Sequence, residues 1–175
     1  MEKRFRVFCR YAELPADMYK KICAFKQSLA PTIDGRGLVK VKCSQIDPDP
    51  ITRQIKESLL VLYDSREVLA TLSFRRDGDD VQIENFVAKK GGGNGSLAIA
   101  YFFREVPLKE GSATVSLFPI DKTPHDWYIN VGFSSDGYDD QFLSACEIGR
   151  EKMREFADRR IGAEHGNKKK RQRTE

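Results

Sequence analysis

The chain has little of what metal sites and disulfide frameworks require. Its 175 residues include two histidines and four cysteines, and no two cysteines form a Cys-x-x-Cys pair. The four stand singly, at Cys9, Cys23, Cys43 and Cys146. Structural zinc sites draw on closely spaced cysteines and histidines, so this distribution argues against one. We expect no metal, and free thiols of the kind found in a reducing compartment.

Long hydrophobic runs are also missing. No apolar stretch approaches the roughly 20 residues that a membrane-spanning helix needs. The opening MEKRFRVFCRYAELP contains charge but no uninterrupted apolar segment, so we expect no secretory signal. With 40% hydrophobic and 32% charged residues, the composition predicts a soluble, cytoplasmic, globular protein with no membrane partner.

Net positive charge is absent from most of the chain, although the total is +4. The last eight residues, KKKRQRTE, carry five positive charges and one negative, which accounts for the whole excess. We predict one domain over residues 1–163 and a disordered basic tail over residues 164–175, which has nothing large and apolar to bury. The tail fits a solubilising end, a nuclear-import signal at Lys168–Arg171, or an arm contacting nucleic acid weakly through Lys168–Arg173.

The elements follow from hydrophobic spacing and turn residues. In the first half of the chain we predict a helix over Ala16–Leu29, a weak strand in GLVKVKCSQI and a short helix from about Ile51. Three strands follow, over Ser58–Tyr63, Glu67–Arg75 and Asp80–Ala88. The rest of the chain is predicted to form a helix over Ser96–Val106, a strand over Ser112–Ile120, a short helix from Thr123, and a long helix from Asp139 to about Ile161. Tight polar turns make the three consecutive strands an antiparallel meander. The following loop, helix and strand form a parallel crossover, which predicts a mixed α/β sheet with helices on both faces.

The stretch AKKGGGNGSLAIAYFF places four glycines among five residues, directly between a strand and a helix. Such a loop can hold an anion, because bare N–H groups and the helix dipole face outward and no side chain blocks approach. Nucleotide phosphate loops require Lys before the first Ser or Thr of the helix, whereas Gly95 precedes Ser96 here. The dinucleotide fingerprint fits Gly93-x-Gly95-x-x-Ala98 in spacing, but that motif follows the first strand of a parallel array.

A third type of loop fits together with a second motif. Lys90-Gly91-Gly92-Gly93-Asn94-Gly95 is similar to the Arg/Gln-x-x-Gly-x-Gly/Ala pyrophosphate loop of Gcn5-related N-acetyltransferases (GNAT), with Lys90 in place of Arg or Gln. After the next strand, DWYINVGF matches the family's Tyr-x-x-x-Gly-Phe through Tyr128, Gly132 and Phe133. The chain therefore resembles a divergent member of this superfamily over about Ser58–Phe133. The resemblance implies a GNAT-like, mainly antiparallel sheet and transfer of an acetyl group from acetyl-CoA to an amine.

The resemblance also implies how the cofactor is held. The pyrophosphate of acetyl-CoA would meet the glycine loop, and pantetheine would pair with the backbone of the strand before it. The cofactor-binding residues carried over in this way are Phe86, Val87, Ala88, Lys90, Gly91, Gly93, Asn94, Gly95 and Ser96.

The same resemblance assigns two catalytic residues. Tyr128 matches the tyrosine that acts as general acid toward the coenzyme A thiolate. Glu84 lies on the third meander strand, where many family members carry a carboxylate that deprotonates the amine directly or through water. His125 and Asp126 are the alternatives for the base.

The end of the chain departs from the family pattern. Family members continue after Gly-Phe into closing strands, whereas SSDGYDD followed by a long helix is predicted here. This departure keeps a second function open, that of a catalytically inactive GNAT-like binding module directed to nucleic acid by its tail. The third candidate function is dinucleotide binding. For an active enzyme, the amine acceptor is a protein, an aminoacyl-tRNA or a small molecule, and the chain is compatible with a homodimer.

Overall fold

The computed structural model describes residues 2–29, 48–119, 122–135, 138–139, 142–143 and 145–171. The helices are α1 (Ala16–Ser28), α2 (Asn94–Glu105), α3 (Pro107–Glu110), α4 (Lys122–Val131) and α5 (Arg150–Arg171). The strands are β1 (Arg4–Phe8), β2 (Ser58–Tyr63), β3 (Val68–Asp77), β4 (Asp80–Ala88), β5 (Thr114–Leu117), β6 (Ser134–Ser135), β7 (Tyr138–Asp139), β8 (Phe142–Leu143) and β9 (Cys146–Gly149). Within these residues, no helix is both long and apolar enough to cross a bilayer.

Seven strands form one sheet in the order β1-β2-β3-β4-β5-β9-β6, and β7 pairs with β8. β4 and β5 are parallel, whereas β1–β2, β2–β3, β5–β9 and β6–β9 are antiparallel. The parallel pair is joined through α2 and α3, which is the predicted crossover after the glycine cluster. The predicted mixed, mainly antiparallel α/β fold is confirmed.

The predicted meander is present with nearly the predicted bounds. β2 and β4 match them, and β3 begins one residue later than predicted and continues to Asp77. A two-residue loop joins β3 to β4, and its Gly78 has φ +61°, which glycine adopts without steric cost. All four residues of Leu59–Leu62 in β2 are buried. Because successive strand side chains point to opposite faces, both faces of the sheet are covered there.

The described chain divides into two compact units, and the first comprises Met1–Phe74 and Asn85–Lys89. Its core joins α1 to strand residues, and α1 runs over nearly the predicted range. The cluster consists of Phe8, Leu14, Met18, Ile22, Phe25, Ile55, Leu59, Val61 and Val68. β1, which the sequence patterning did not identify, pairs with β2 from Arg4↔Tyr63 to Phe8↔Leu59.

The β2–β3 turn of this unit is held by one carboxylate. Oδ1 of Asp64 accepts hydrogen bonds from the backbone N–H groups of Arg66 at 2.8 Å and Glu67 at 3.0 Å. Burial by itself would raise the pKa of Asp64, but these two N–H donors and the nearby cations outweigh it and lower the pKa.

Replacing Asp64 with alanine should therefore destabilise the fold by about 1 kcal/mol near neutral pH, because two turn N–H groups lose their acceptor. Since the folded-state pKa is lowered, the contribution is present above the unfolded-state pKa and is lost as pH falls through the folded-state value. In urea unfolding, the free energy of unfolding of wild type should exceed that of Asp64→Ala at about pH 7, and this difference should be smaller at about pH 2.5. An equal difference in the free energy of unfolding at both pH values would contradict the role of the Asp64 carboxylate in the turn.

The second unit comprises Arg75–Glu84 and Lys90–Glu175. Its sheet pairs β4 with β5 from Val81↔Val115 to Ile83↔Leu117, and β9 with β5 from Thr114↔Gly149 to Leu117↔Cys146. α2 is apolar and buried over Leu97–Phe103. A helix that is apolar all round must be covered by other elements, and α5 packs along it.

The predicted helix from Asp139 to about Ile161 is wrong in its first half. Residues 138–149 include β7, β8 and β9, and the helix begins at Arg150. The predicted loss of closing strands is wrong as well, since β6 and β9 follow the Gly-Phe pair. Cys146 and Ile148 are buried while Glu147 and Gly149 are exposed, which is the alternation of a strand. Four residues are too few to reveal that period in the sequence, and hydrogen bonding to β5 decides the conformation.

The predicted short helix from about Ile51 is wrong too. Oδ1 of Asp49 accepts hydrogen bonds from the N–H groups of Ile51 and Thr52, which starts a turn. Arg53 then takes φ +58°, so the chain leaves the helical region after a single turn. The predicted strand in GLVKVKCSQI (residues 37–46) lies outside the described residues.

The remaining predicted elements differ mainly in their ends. α2 starts two residues before the predicted Ser96, β5 is shorter than Ser112–Ile120, and α4 is the predicted short helix. α5 continues through residues 164–171, and the predicted disorder of the basic tail over residues 164–175 stays a prediction. This stretch has no proline and extends a helix that is already packed, so the cost of helix nucleation does not recur. Residues 172–175 lie outside the described residues.

Candidate active site

The chain leaves β4 through three glycines that all have positive φ: +83° at Gly91, +63° at Gly92 and +63° at Gly93. L-residues with a side chain rarely adopt this conformation, so the run explains why glycine is needed at three successive positions. All three are exposed, and a Cβ at Gly91 would meet no atom within 4 Å. We call Gly91–Gly93 the glycine turn.

The glycine turn opens onto the N-terminus of α2. Gly93 precedes the first helical residue, Asn94, and the carbonyl of Gly93 accepts the N–H of Leu97 at 3.0 Å. No acidic side chain lies in the first turn of α2. The first N–H groups of an α-helix lack intrahelical acceptors and the dipole adds partial positive charge, so this terminus favours an anion. The open turn and the lack of an acidic residue in the first turn of α2 fit an anionic ligand.

Three cationic side chains lie close to the turn in sequence or in space. Lys89 forms an ion pair with Glu67, and its N–H bonds to the Leu69 carbonyl. Lys90 is exposed. Arg160 of α5 donates a hydrogen bond from Nη2 to the Gly93 carbonyl at 3.2 Å. Sequence reasoning missed Arg160, because it is separated from the glycines by more than sixty positions and no local pattern marks it.

Tyr128 lies near the end of α4, and the Tyr-x-x-x-Gly-Phe motif forms that end. Gly132 has φ +118° and its N–H bonds to the Ile129 carbonyl at 3.0 Å, while the Phe133 N–H bonds to the Tyr128 carbonyl at 3.1 Å. These are the two hydrogen bonds of a Schellman motif. The motif also brings its flanking side chains together, and the Tyr128 and Phe133 rings pack at 70° with centroids 5.5 Å apart. The Tyr-x-x-x-Gly-Phe spacing therefore reflects the way in which α4 ends, and this helix end fixes the position of the Tyr128 ring.

The Tyr128 side chain is enclosed by aromatic and sulfur-containing neighbours. The tyrosine is 7% exposed, and the Trp127 ring lies edge-on at 4.9 Å between centroids. Burial and, secondly, the negative charge of a Cys146 thiolate raise the pKa of Tyr128 well above its usual value. Burial also raises the pKa of Cys146, and this effect outweighs a hydrogen bond with Ser135 that lowers the same pKa. Tyr128 therefore keeps its proton throughout the physiological range, as a general acid must.

Glu84 lies on β4 with an ion-pair partner already in place. Its Oε1 is 2.7 Å from Nε of Arg75, and the glutamate side chain is 18% exposed. The same guanidinium donates to Oε1 of Gln82 from Nη2 at 2.6 Å. Gln82, Glu84 and Arg75 therefore form one polar cluster on the β3–β4 hairpin.

The alternative bases lie in the first turns of α4. His125 is buried, with Nδ1 3.3 Å from Oδ1 of the exposed Asp126. Phe86, Val87 and Ala88 are half-buried residues of β4 that follow its last pair with β5, at Ile83, and Val87 packs against the core of the first unit.

The predicted site residues fall in both units. Glu84, Tyr128 and the loop from Lys90 to Ser96 belong to the second unit, and Phe86–Ala88 belong to the first. Among the residues that the structure covers, no group of three His, Cys, Asp or Glu side chains is arranged to hold a metal ion.

The fold is similar to those of solved N-acetyltransferase structures. PaiA N-acetyltransferase from Thermoplasma acidophilum, in complex with coenzyme A, aligns with a TM-score of 0.56 and 11% identity over 85% of this chain and 99% of that chain. An N-acetyltransferase from Staphylococcus aureus Mu50 aligns with a TM-score of 0.55 and 12% identity, over 84% of this chain and 99% of that chain. A Bacillus subtilis acetyltransferase in complex with CoA aligns with a TM-score of 0.51 and 9% identity, over 85% of this chain and 99% of that chain. No family model matches the chain, and no curated protein matches its sequence.

At these identities the likeness shows the fold. The chain has a GNAT-like fold, spans nearly the full length of these neighbours, and is 9–12% identical to them in sequence. Two of the three neighbours were solved with coenzyme A bound. The fold expected from the glycine loop and the Tyr-x-x-x-Gly-Phe motif is therefore confirmed, while the roles of individual residues stay predictions.

Proposed function

We propose that this protein is an acetyl-CoA-dependent N-acetyltransferase that moves the acetyl group directly to an amine. The observation that carries the proposal is the glycine turn, which opens onto the N-terminus of α2 in a fold shared with acetyltransferases that bind coenzyme A. Ordering three successive glycines costs conformational entropy and adds nothing to the core, so a close approach by a ligand accounts for them.

Donor binding is assigned to backbone groups for the most part. The N–H groups of Gly91, Gly93, Gly95 and Ser96 would bind the diphosphate at the start of α2, with Asn94 in the same helical turn and Lys90 adding charge. Phe86–Ala88 would offer backbone groups to pantetheine, because they come after the last β4 residue that pairs with β5. When bound, acetyl-CoA supplies the acetyl group as an activated thioester.

Proton transfer is assigned to two side chains. Tyr128 would hold its proton at Oη, where burial keeps the hydroxyl neutral, and would donate that proton to the departing thiolate. Glu84 would take the proton of the attacking amine, directly or through water, and Arg75 would hold its carboxylate in place. His125 would be the base instead if Glu84 proved dispensable.

The acceptor is proposed only as a class: an amine on a protein, an aminoacyl-tRNA or a small molecule. We further propose a cytoplasmic location, with nuclear import or weak nucleic-acid contact through the basic segment Lys168–Arg173. A homodimer is the proposed oligomer.

The proposal predicts a rise in melting temperature on adding coenzyme A. Ligand at about 100 times its Kd stabilises the folded state by about 2.7 kcal/mol, provided that it binds the folded state alone. Differential scanning fluorimetry with acetyl-CoA, CoA and NAD would measure this, followed by thiol release from acetyl-CoA in a screen of amine acceptors. Binding of CoA with no transfer to any acceptor would favour the inactive binding module, and a rise with NAD alone would favour dinucleotide binding.

A further inference from the structure

Arg160 reaches the glycine turn because α5 is anchored against α2. The buried side chains of α5 include Met153, Phe156, Ala157 and Ile161. The Phe156 ring meets that of Phe103 in α2 edge-on, with centroids 6.1 Å apart. Arg160 lies one helical turn beyond Phe156, so the same packing that buries Phe156 carries the guanidinium to the start of α2.

The guanidinium stands in an unusual electrostatic position. Its Nη2 lies 3.2 Å from the carbonyl oxygen of Gly93, the residue that precedes α2, so the cation is close to the helix end at which the dipole is positive. Nη1 is 3.6 Å from Oε2 of Glu164, and the arginine side chain is 21% exposed. Among the described residues, the Gly93 carbonyl is its single hydrogen-bond acceptor. Nη1 faces the Glu164 carboxylate, and the N–H donors without a hydrogen-bond acceptor can bind an anion at the turn.

The close approach also gives Gly93 a second reason to be glycine. A Cβ at this position would lie 2.6 Å from Nη2 of Arg160, closer than real contacts allow. A side chain at position 93 would therefore force the guanidinium away from its place beside the Gly93 carbonyl.

We propose that Arg160 completes the donor site by binding the diphosphate of coenzyme A at the glycine turn. This inference rests on the proposed function. Lys90 stands where the family motif carries Arg or Gln, and a lysine offers a point charge, whereas an arginine offers a planar fork that can bind a phosphate with two hydrogen bonds. The fork is supplied here from α5, so donor binding depends on the packing of α5 against α2.

The test is calorimetric titration of the full chain with coenzyme A, dephospho-CoA and pantetheine. Arg160→Gln should weaken binding of coenzyme A and of dephospho-CoA by about 10- to 100-fold, because a charge-assisted hydrogen bond to phosphate is lost. Pantetheine carries no phosphate, so its affinity should be unchanged. Arg154→Gln is the matched control, since it removes an exposed arginine of the same helix and should leave all three affinities as in wild type.

Each alternative outcome overturns a different statement. Wild-type affinity in Arg160→Gln, or an equal loss for pantetheine, would overturn the role of Arg160 while the proposed function stands. A loss confined to coenzyme A would assign Arg160 to the 3′-phosphate and overturn the diphosphate contact. A wild-type chain that binds none of the three ligands would overturn the proposed function itself. If Arg160→Gln does not fold, Arg160→Lys decides: it keeps the charge without the fork and should still lose several-fold in affinity for dephospho-CoA.

Discussion

Tyr128→Phe should lower kcat for acetyl transfer by about 10²- to 10⁴-fold, the usual contribution of a positioned general acid. The substitution removes one hydroxyl and keeps the ring, so the packing on Phe133 and Trp127 is preserved. Affinity for coenzyme A should be nearly unchanged, because the backbone of the glycine turn binds the diphosphate. Thiol release from acetyl-CoA with the best acceptor of the screen gives kcat, and calorimetry gives the affinity.

Tyr101→Phe is the control for this prediction. Tyr101 is also a buried tyrosine of the second unit, at 6% exposure on α2, and the proposed chemistry assigns it no role. Its kcat should stay within about twofold of wild type, since removal of a hydroxyl outside the reaction leaves transition-state interactions intact. A Tyr128→Phe variant with wild-type kcat would remove the general acid from the mechanism and leave the tyrosine as part of the Schellman motif.

Gly93→Val should abolish the rise in melting temperature that coenzyme A produces in wild type. A β-branched residue at φ +63° is strained by about 1–3 kcal/mol, and its Cβ would fall 2.6 Å from Arg160. The turn must then reshape, the guanidinium must move, and the N–H groups lose their common direction. Fluorimetry with and without coenzyme A measures the result.

Gly78→Val separates this effect from general destabilisation. Gly78 has almost the same φ, +61°, but a Cβ there would meet nothing within 4 Å. This variant should melt at a lower temperature than wild type and still gain the full shift with coenzyme A. Gly93→Val retaining that shift would contradict the glycine turn as the diphosphate site.

Features set by short-range chemistry were readable from the sequence. The meander follows from strand-type runs and polar turns, and the bounds of β2 and β4 agree with prediction. The glycine turn follows from the need for positive φ at three successive positions. The spacing of Tyr128, Gly132 and Phe133 follows from the hydrogen bonds of one helix end. In each of these cases the residues involved lie within a few positions of one another.

What depends on distant partners required the tertiary structure. Cys146–Gly149 is a strand because β5 and β6 pair with it, and neither neighbour is visible from its own four residues. Arg160 belongs to the candidate site because α5 packs on α2, which brings its guanidinium to a carbonyl that no sequence pattern associates with it. Local turn and capping preferences were thus determined by the sequence alone. Pairing and helix packing were decided by the whole fold, because their free energy arises from contacts that form only when distant segments meet.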